Sequence, residues 1–435
     1  MMEWLLIVLV LLLLLGGLGA VKFVEARRSL KPEEARKAAH VYVGCVTLFL
    51  PLWFDERWPV IVIGVFALSL MVFVRYVSQL KKSVGSILHA VQRDSFGELY
   101  FPVAVVLLFV LSHEQPVFYV IPLLILTFAD ASAALVGVAY GKHNMASGEE
   151  DRKSIEGGVT FLLIAFLCTL LPLLIASNID PLNMILIALI ISVLVTIVES
   201  VAYKGSDNLL IPLLTYAFLI THFNEPLQWL LAQLLVVVAI ALFLYIWNKK
   251  SIMSRLGVMN ALVSSYLIVL LGGWDWYVAP LLFFIFYPFL PRLTAEEKQR
   301  ILDYHIVANY TLAGLIWLFV GVLVEAKAIF FIGFLAAFTI YCGIAAYIRF
   351  HIYRHFTQSK SIAYALLKAV LLCFVPGAFA YQGALSIAGS VLIVLAVLAG
   401  VALVSNSAVK QHNVRNFAIT FLLSGLTIAI HELFF

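Results

Sequence analysis

A chain of 435 residues that is 63% hydrophobic and only 12% charged, with a mean hydropathy of +1.05, is too apolar for a soluble globular domain. Its net charge of +4 sits on short loops and makes no case for nucleic acid as a partner. The four cysteines, Cys45, Cys168, Cys342 and Cys373, fall inside apolar runs without metal-ligand spacing, which excludes a disulfide framework and a zinc site as expectations.

Apolar runs recur along the chain, most of about 16 to 22 residues and long enough to cross roughly 30 Å of hydrocarbon as a helix, and several shorter. The predicted spans lie near 4–24, 41–54, 59–74, 99–112, 116–137, 157–177, 181–200, 208–223, 226–247, 257–272, 275–290, 306–325, 328–348, 363–383, 384–405 and 413–431. The expected fold is therefore all-α, a polytopic integral membrane protein with about 16 transmembrane helices. The first run carries Glu3 but no base ahead of it, so it is expected to stay as a helix rather than be cleaved as a signal. Every Lys and Arg except Arg57 and Lys327 falls on one set of alternate loops and adjoining helix ends. Basic residues favour the cytosolic side, which puts the amino terminus outside and the loops discussed below in the cytosol of a plasma membrane or endoplasmic reticulum.

The first polar cluster, Glu33-Glu34-Ala35-Arg36-Lys37-Ala38-Ala39-His40, directly precedes the second span. Arg36, Lys37 and His40 fall within one turn, close enough to hold a single anion, although a solvated juxtamembrane cluster has the same composition. Between spans three and four, Val77, Leu80, Val84, Ile87, Leu88 and Val91 form an apolar strip at helical spacing, the pattern of an interfacial helix. Asp130 lies about two turns inside the cytosolic end of span five; a carboxylate at membrane depth needs a partner or a polar cavity and is a functional candidate by default. Ala133, Ala134, Gly137 and Gly141 follow it at helical spacing. Such a strip lets a ligand approach the backbone, or lets a second helix pack against it.

The loop that follows supplies Lys142, Arg152 and Lys153, and Ser154 leads into span six. Cations beside free N–H groups at a helix start suit a multiply anionic ligand such as a nucleotide triphosphate, and bases in cytosolic loops also serve simply as topology signals. Glu156 and Gly157 complete this stretch; the acid stands two residues after the serine, where a capping box wants three. Glu199 closes span seven, and Asp207-Asn208 opens span eight, with Pro212 beyond. Asp207 also suits a plain helix cap. Spans two to eight and ten to sixteen form two seven-helix blocks, and Lys153-Ser154-Ile155 recurs as Lys360-Ser361-Ile362, so a tandem repeat is expected. Asp130, Glu199 and Asp207 would then correspond to Ala337, Asn406 or Ser407, and Arg415, a second copy without the acids.

Together these pieces resemble the CTP-dependent lipid-alcohol kinases, the family of dolichol, phytol and farnesol kinases, which is related to phosphatidate cytidylyltransferase. The resemblance runs through Arg36-Lys37-x-x-His40, Gly97-Glu98-x-Tyr100-x-Pro102, Asp130-x-x-Ala133-x-x-x-Gly137-x-x-x-Gly141-Lys142, Lys153-Ser154-x-Glu156-Gly157, and Glu199 with Asp207-Asn208-x-x-x-Pro212. The cytidylyltransferase branch instead carries a second acid soon after the helical Asp and a Pro-Lys-x-Thr loop before Glu-Gly, and this chain has neither. The second block faintly resembles phytyl-phosphate kinase relatives around Gly272-Gly273-Trp274 and Asn309.

The resemblance implies transfer of the γ-phosphate of CTP to the hydroxyl of a membrane lipid alcohol, a polyprenol or dolichol, phytol, farnesol or diacylglycerol, assisted by Mg2+ or another divalent cation. Asp130, Glu199 and Asp207 are the implied catalytic and metal-binding acids. Arg36, Lys37, His40, Gly137, Gly141, Lys142, Lys153, Ser154, Glu156, Gly157 and Asn208 are the implied nucleotide and phosphate ligands. Residues 1–40 would form an N-terminal helix and basic cytosolic loop, 41–223 the catalytic membrane domain, 224–256 a connecting helix and loop, and 257–435 a non-catalytic membrane block. The competing expectations are nucleotidyl transfer to a lipid phosphate and a transporter or inactive scaffold.

Overall fold

The computed structural model describes residues 2–28, 32–76, 96–112, 114–143, 153–202, 205–247, 255–286, 304–381, 386–405 and 413–434, and every regular element among them is helical. That is the physical consequence of the composition, because a segment in hydrocarbon must satisfy its backbone hydrogen bonds within itself. Among the described residues, nine helices are long and apolar enough to cross a membrane, and five apolar helices are shorter. The apolar strip at Val77–Val91, Arg152, Asn406 and Ser407 lie outside the described residues. Two compact units divide the chain, Met1–Leu242 and Phe243–Phe435.

The first unit consists of α1 (Met2–Arg28), α2 (Pro32–Leu48), α3 (Leu50–Trp53), α4 (Arg57–Tyr76), α5 (Gly97–Leu111), α6 (Val117–Tyr140), α7 (Ile155–Ala176), α8 (Pro181–Val201) and α9 (Asp207–His222); the unit boundary falls inside α10 (Leu227–Trp247). Helix α8 is its centre. From Leu186 to Val201 nearly every side chain is buried, and α7 and α9 pack against it. One boundary differs from expectation: the stretch from Pro32 to His40 is the start of α2 rather than a loop. Proline is well suited to the first helical position, and Glu33 and Glu34 in the first turn complement the helix dipole. A hydropathy pattern cannot register that part of the helix, because its residues are polar.

Helix α6 is not a uniform α-helix. It carries Pro122 and then widens into a single π turn over Ile125–Ala129, so that the Asp130 N–H bonds back to the Ile125 carbonyl. Isolated π turns of this kind concentrate at functional positions.

The second unit contains α11 (Arg255–Gly272), α12 (Trp274–Phe286), α13 (Tyr304–Leu323), α14 (Lys327–Tyr353), α15 (Gln358–Ala380), α16 (Ile387–Ser405) and α17 (Asn413–Phe434). Helix α14 is its buried centre, packed by α13, α15, α16 and α17. Ala337, which the expected repeat would pair with Asp130, is fully buried in α14. Locally the two Lys-Ser-Ile stretches differ. Ser154 is the N-cap of α7, whereas Ser361 lies inside the first turn of α15 and its hydroxyl donates to the Thr357 carbonyl.

Candidate functional site

The π turn delivers Asp130 to α2. Lys37 Nζ donates to Asp130 Oδ2 at 2.5 Å, and His40 Nε2 lies 3.6 Å from the same oxygen. Lys37, three residues before His40, shares its face of α2. Both partners of the Lys37–Asp130 pair are buried, at 3% and 6% exposure. Arg36, the residue before Lys37, is held by Glu33 at 2.6 Å.

A second lysine–carboxylate pair stands close by. Lys153 precedes α7 and reaches the end of α8, where its Nζ lies 2.8 Å from Glu199 Oε1 and also donates to the Glu199 backbone carbonyl. Burial works against the Lys153 charge, but the carboxylates of Glu199, Asp207 and Asp130 outweigh it and hold its pKa above the ordinary lysine value. Asp130 of the first pair therefore lies within electrostatic reach of the second. Asp130 and Asp207 act on Arg36 as well.

Asp207 opens α9 after a turn through Gly205, whose φ of +83° favours glycine. Ser206 takes the capping position, leaving Asp207 in the first turn, where its Oδ1 accepts from the Asn208 N–H at 3.1 Å. Asn208 Nδ2 donates to the Gly97 carbonyl at 2.9 Å, tying the start of α9 to the start of α5. Beside it Glu98 pairs with Arg75 at 2.5 Å, and the Arg75 guanidinium lies 4.2 Å over the Phe96 ring. Arg75, Glu98 and Glu33 are supporting residues outside the expected site; Glu33 lies in the first polar cluster and Glu98 in the Gly97-Glu98-x-Tyr100-x-Pro102 pattern, whereas no motif contains Arg75.

The loop between α6 and α7 behaves differently from expectation. Two of the free N–H groups expected at the start of α7 are taken: Ile155 donates to the His143 carbonyl and Gly157 to Ser154 Oγ at 3.1 Å. Ser154 is thus an N-cap, and its hydroxyl satisfies the chain before any ligand arrives. Glu156 pairs with His143 Nδ1 at 2.9 Å, and Lys142 is exposed just past the end of α6. Gly137, Gly141 and Gly157 form a packing seam. A methyl group at Gly157 would lie 2.9 Å from the Ala133 carbonyl oxygen, and one at Gly141 would lie 2.9 Å from Ser154 Cβ. Gly157→Ala is accordingly expected to destabilise the α6–α7 contact by about 1–3 kcal/mol, read as a lower midpoint in thermal unfolding of the detergent-purified protein; an unchanged midpoint would leave the glycine free for a ligand.

Among the described residues no three His, Cys, Asp or Glu side chains form a group that could hold a metal ion. Asp130 and Glu199 are each engaged by a lysine instead. What the arrangement offers is a set of cations held ready by carboxylates: Arg36, Lys37 and Lys153 with Asp130, Glu199 and Asp207.

The model of the cytidylyltransferase family matches residues 1–202, the stretch that contains Arg36, Lys37, His40, Asp130, Lys153 and Glu199. A phytol kinase of Synechocystis is 31% identical over 191 residues, 43% of this chain and 78% of that protein. No solved structure matches the chain. The matched region, its paired lysines and carboxylates and the ordered motifs through them place the chain in the CTP-dependent lipid kinase family related to the cytidylyltransferases.

Proposed function

We propose that the protein is a kinase that transfers the γ-phosphate of CTP to the hydroxyl of a membrane lipid alcohol, with its site at the cytosolic edge of the first unit. The observation that carries this reading is the presence of two lysine–carboxylate pairs, Lys37–Asp130 and Lys153–Glu199, within electrostatic reach of one another and of Asp207, because phosphoryl transfer asks mainly for positioning and charge neutralisation. Lys37, Lys153 and Arg36 would bind the triphosphate. Asp130 would accept the proton of the lipid hydroxyl as its oxygen bonds to the γ-phosphorus and the bond to the β-phosphate oxygen breaks, releasing CDP.

The acids suit a magnesium nucleotide better than a resident metal, since Mg2+ commonly binds through one or two carboxylates and substrate phosphates. One or two of Asp130, Glu199 and Asp207 would hold it together with the phosphates of the substrate. When bound, the ion neutralises charge on the β- and γ-phosphates. Substrates of the class are polyprenol or dolichol, phytol, farnesol and diacylglycerol.

The test is to follow label from CTP to a panel of these alcohols with the purified protein in detergent. Label from the γ position supports the kinase. Label from the α position, appearing on a lipid phosphate, selects the cytidylyltransferase alternative, and transfer from neither selects a transporter or scaffold.

We further propose the sixteen-crossing topology with the amino terminus outside, and the reading of 257–435 as a non-catalytic copy within a tandem repeat. The Lys and Arg asymmetry supports the first, and the absence of acids at Ala337 and Arg415 supports the second. Lys360 is exposed in α15. Lys360→Ala is therefore expected to leave turnover within about threefold of the wild type, in the range of surface changes away from a site; loss of activity from this change alone would make the second unit a working site.

A further inference from the structure

Within α6 the backbone shifts register by one residue immediately before the acid. In an unbroken α-helix the Asp130 N–H would bond to the Leu126 carbonyl; here it bonds to Ile125, and the Leu126 carbonyl receives His40 Nε2 at 3.0 Å instead. Because that ring nitrogen faces a carbonyl oxygen, it must carry the proton. One turn further along α2, Gly44 meets the same π turn: a methyl group there would lie 2.2 Å from Thr127 Oγ1. The Thr127 hydroxyl is fully buried and has no hydrogen-bond partner among the described residues. A π turn with an unsatisfied hydroxyl is a locally unfavourable arrangement, and it persists only where its surroundings over-determine it. Helix α2 does so at two points, with a donor at His40 and a close backbone approach at Gly44.

The register matters for the site. Each residue of an α-helix turns the chain by about 100°, so a turn that relaxed to α geometry would swing the Asp130 carboxylate away from Lys37. We propose that His40 is a positioning residue: its Nε2–H holds the Leu126 carbonyl and so locks the π register that aims Asp130 at Lys37. This assigns His40 a role in the protein's own backbone, in place of contact with phosphate, and its kinetic part rests on the lipid-alcohol kinase reading.

The experiment compares His40→Phe, which keeps a ring without the donor, with His40→Gln, which restores an N–H, in full-length protein purified in detergent. In His40→Phe, kcat should fall about 100-fold, the scale of a misplaced catalytic group, while KM for CTP stays within about threefold. In His40→Gln most of kcat should return. Hydrogen exchange of the amides in 124–131 is read on the same samples and does not depend on turnover. It should quicken in His40→Phe and not in His40→Gln. A raised KM for CTP with kcat kept would make His40 a phosphate ligand and overturn the proposal, as would equal damage in both variants or unchanged exchange in His40→Phe. If the wild type transfers no phosphate to any alcohol, the kinase reading fails and the exchange data decide the positioning role alone.

Discussion

Asp130→Asn is expected to lower phosphoryl transfer at saturating CTP by about 10³-fold or more while the protein remains folded. The chemical part of the loss is the scale associated with a removed acid or base in the transition state. The folding part follows from the geometry. Asp130 and Lys37 are a buried pair at 2.5 Å, and stripping one partner from such a pair costs about 3–5 kcal/mol. Asn keeps an oxygen that accepts from Lys37 Nζ, so it should lose less than Asp130→Ala, which leaves the ammonium without any acceptor. Label transfer from γ-labelled CTP and a thermal midpoint on the same preparations separate the two effects. Near-normal turnover in the Asn variant would remove Asp130 from the chemistry.

Lys153→Ala is expected to raise the CTP concentration needed for half-maximal rate about 10- to 100-fold with a smaller change in kcat. A clamp on the triphosphate acts in ground and transition states alike, which is the signature of uniform binding. The change also strips the partner from Glu199, whose carboxylate is buried, so the single variant should be less stable. Adding Glu199→Gln should recover stability without recovering CTP affinity; recovery of both would show that Lys153 only balances Glu199.

The pH dependence follows from the sign of the Lys153 shift. Its pKa is raised by the surrounding carboxylates over the opposing effect of burial, so the stability it contributes is fully present below the ordinary lysine value of about 10.4 and is lost only as pH rises through the higher folded value. Any alkaline loss of activity between about pH 8 and 10 must come from another group. If that limb vanished in Lys153→Ala, the assignment would be wrong.

The amino-acid sequence by itself determined the all-helical architecture and the recurrence of helices long and apolar enough to cross a membrane. Those properties are local: an apolar run of sufficient length must become helix in hydrocarbon. It also marked Asp130, Glu199 and Asp207, because a carboxylate next to apolar sequence is conspicuous without any coordinates. Only the tertiary structure decided what these residues do to one another. Lys37 and Asp130 are 93 positions apart, and no spacing rule joins them; the contact depends on how α2 lies on α6 and on a π turn that hydropathy does not see. The strip of Gly137 and Gly141 reads as a ligand approach or a packing seam, and the tertiary structure packs it against Ser154 and Gly157 of the next helix start. Ser154 likewise reads as a phosphate ligand or a cap, and only the tertiary structure shows its hydroxyl accepting from the Gly157 N–H. Residue type says which groups are able to bind charge, whereas packing decides which of them the fold has already used.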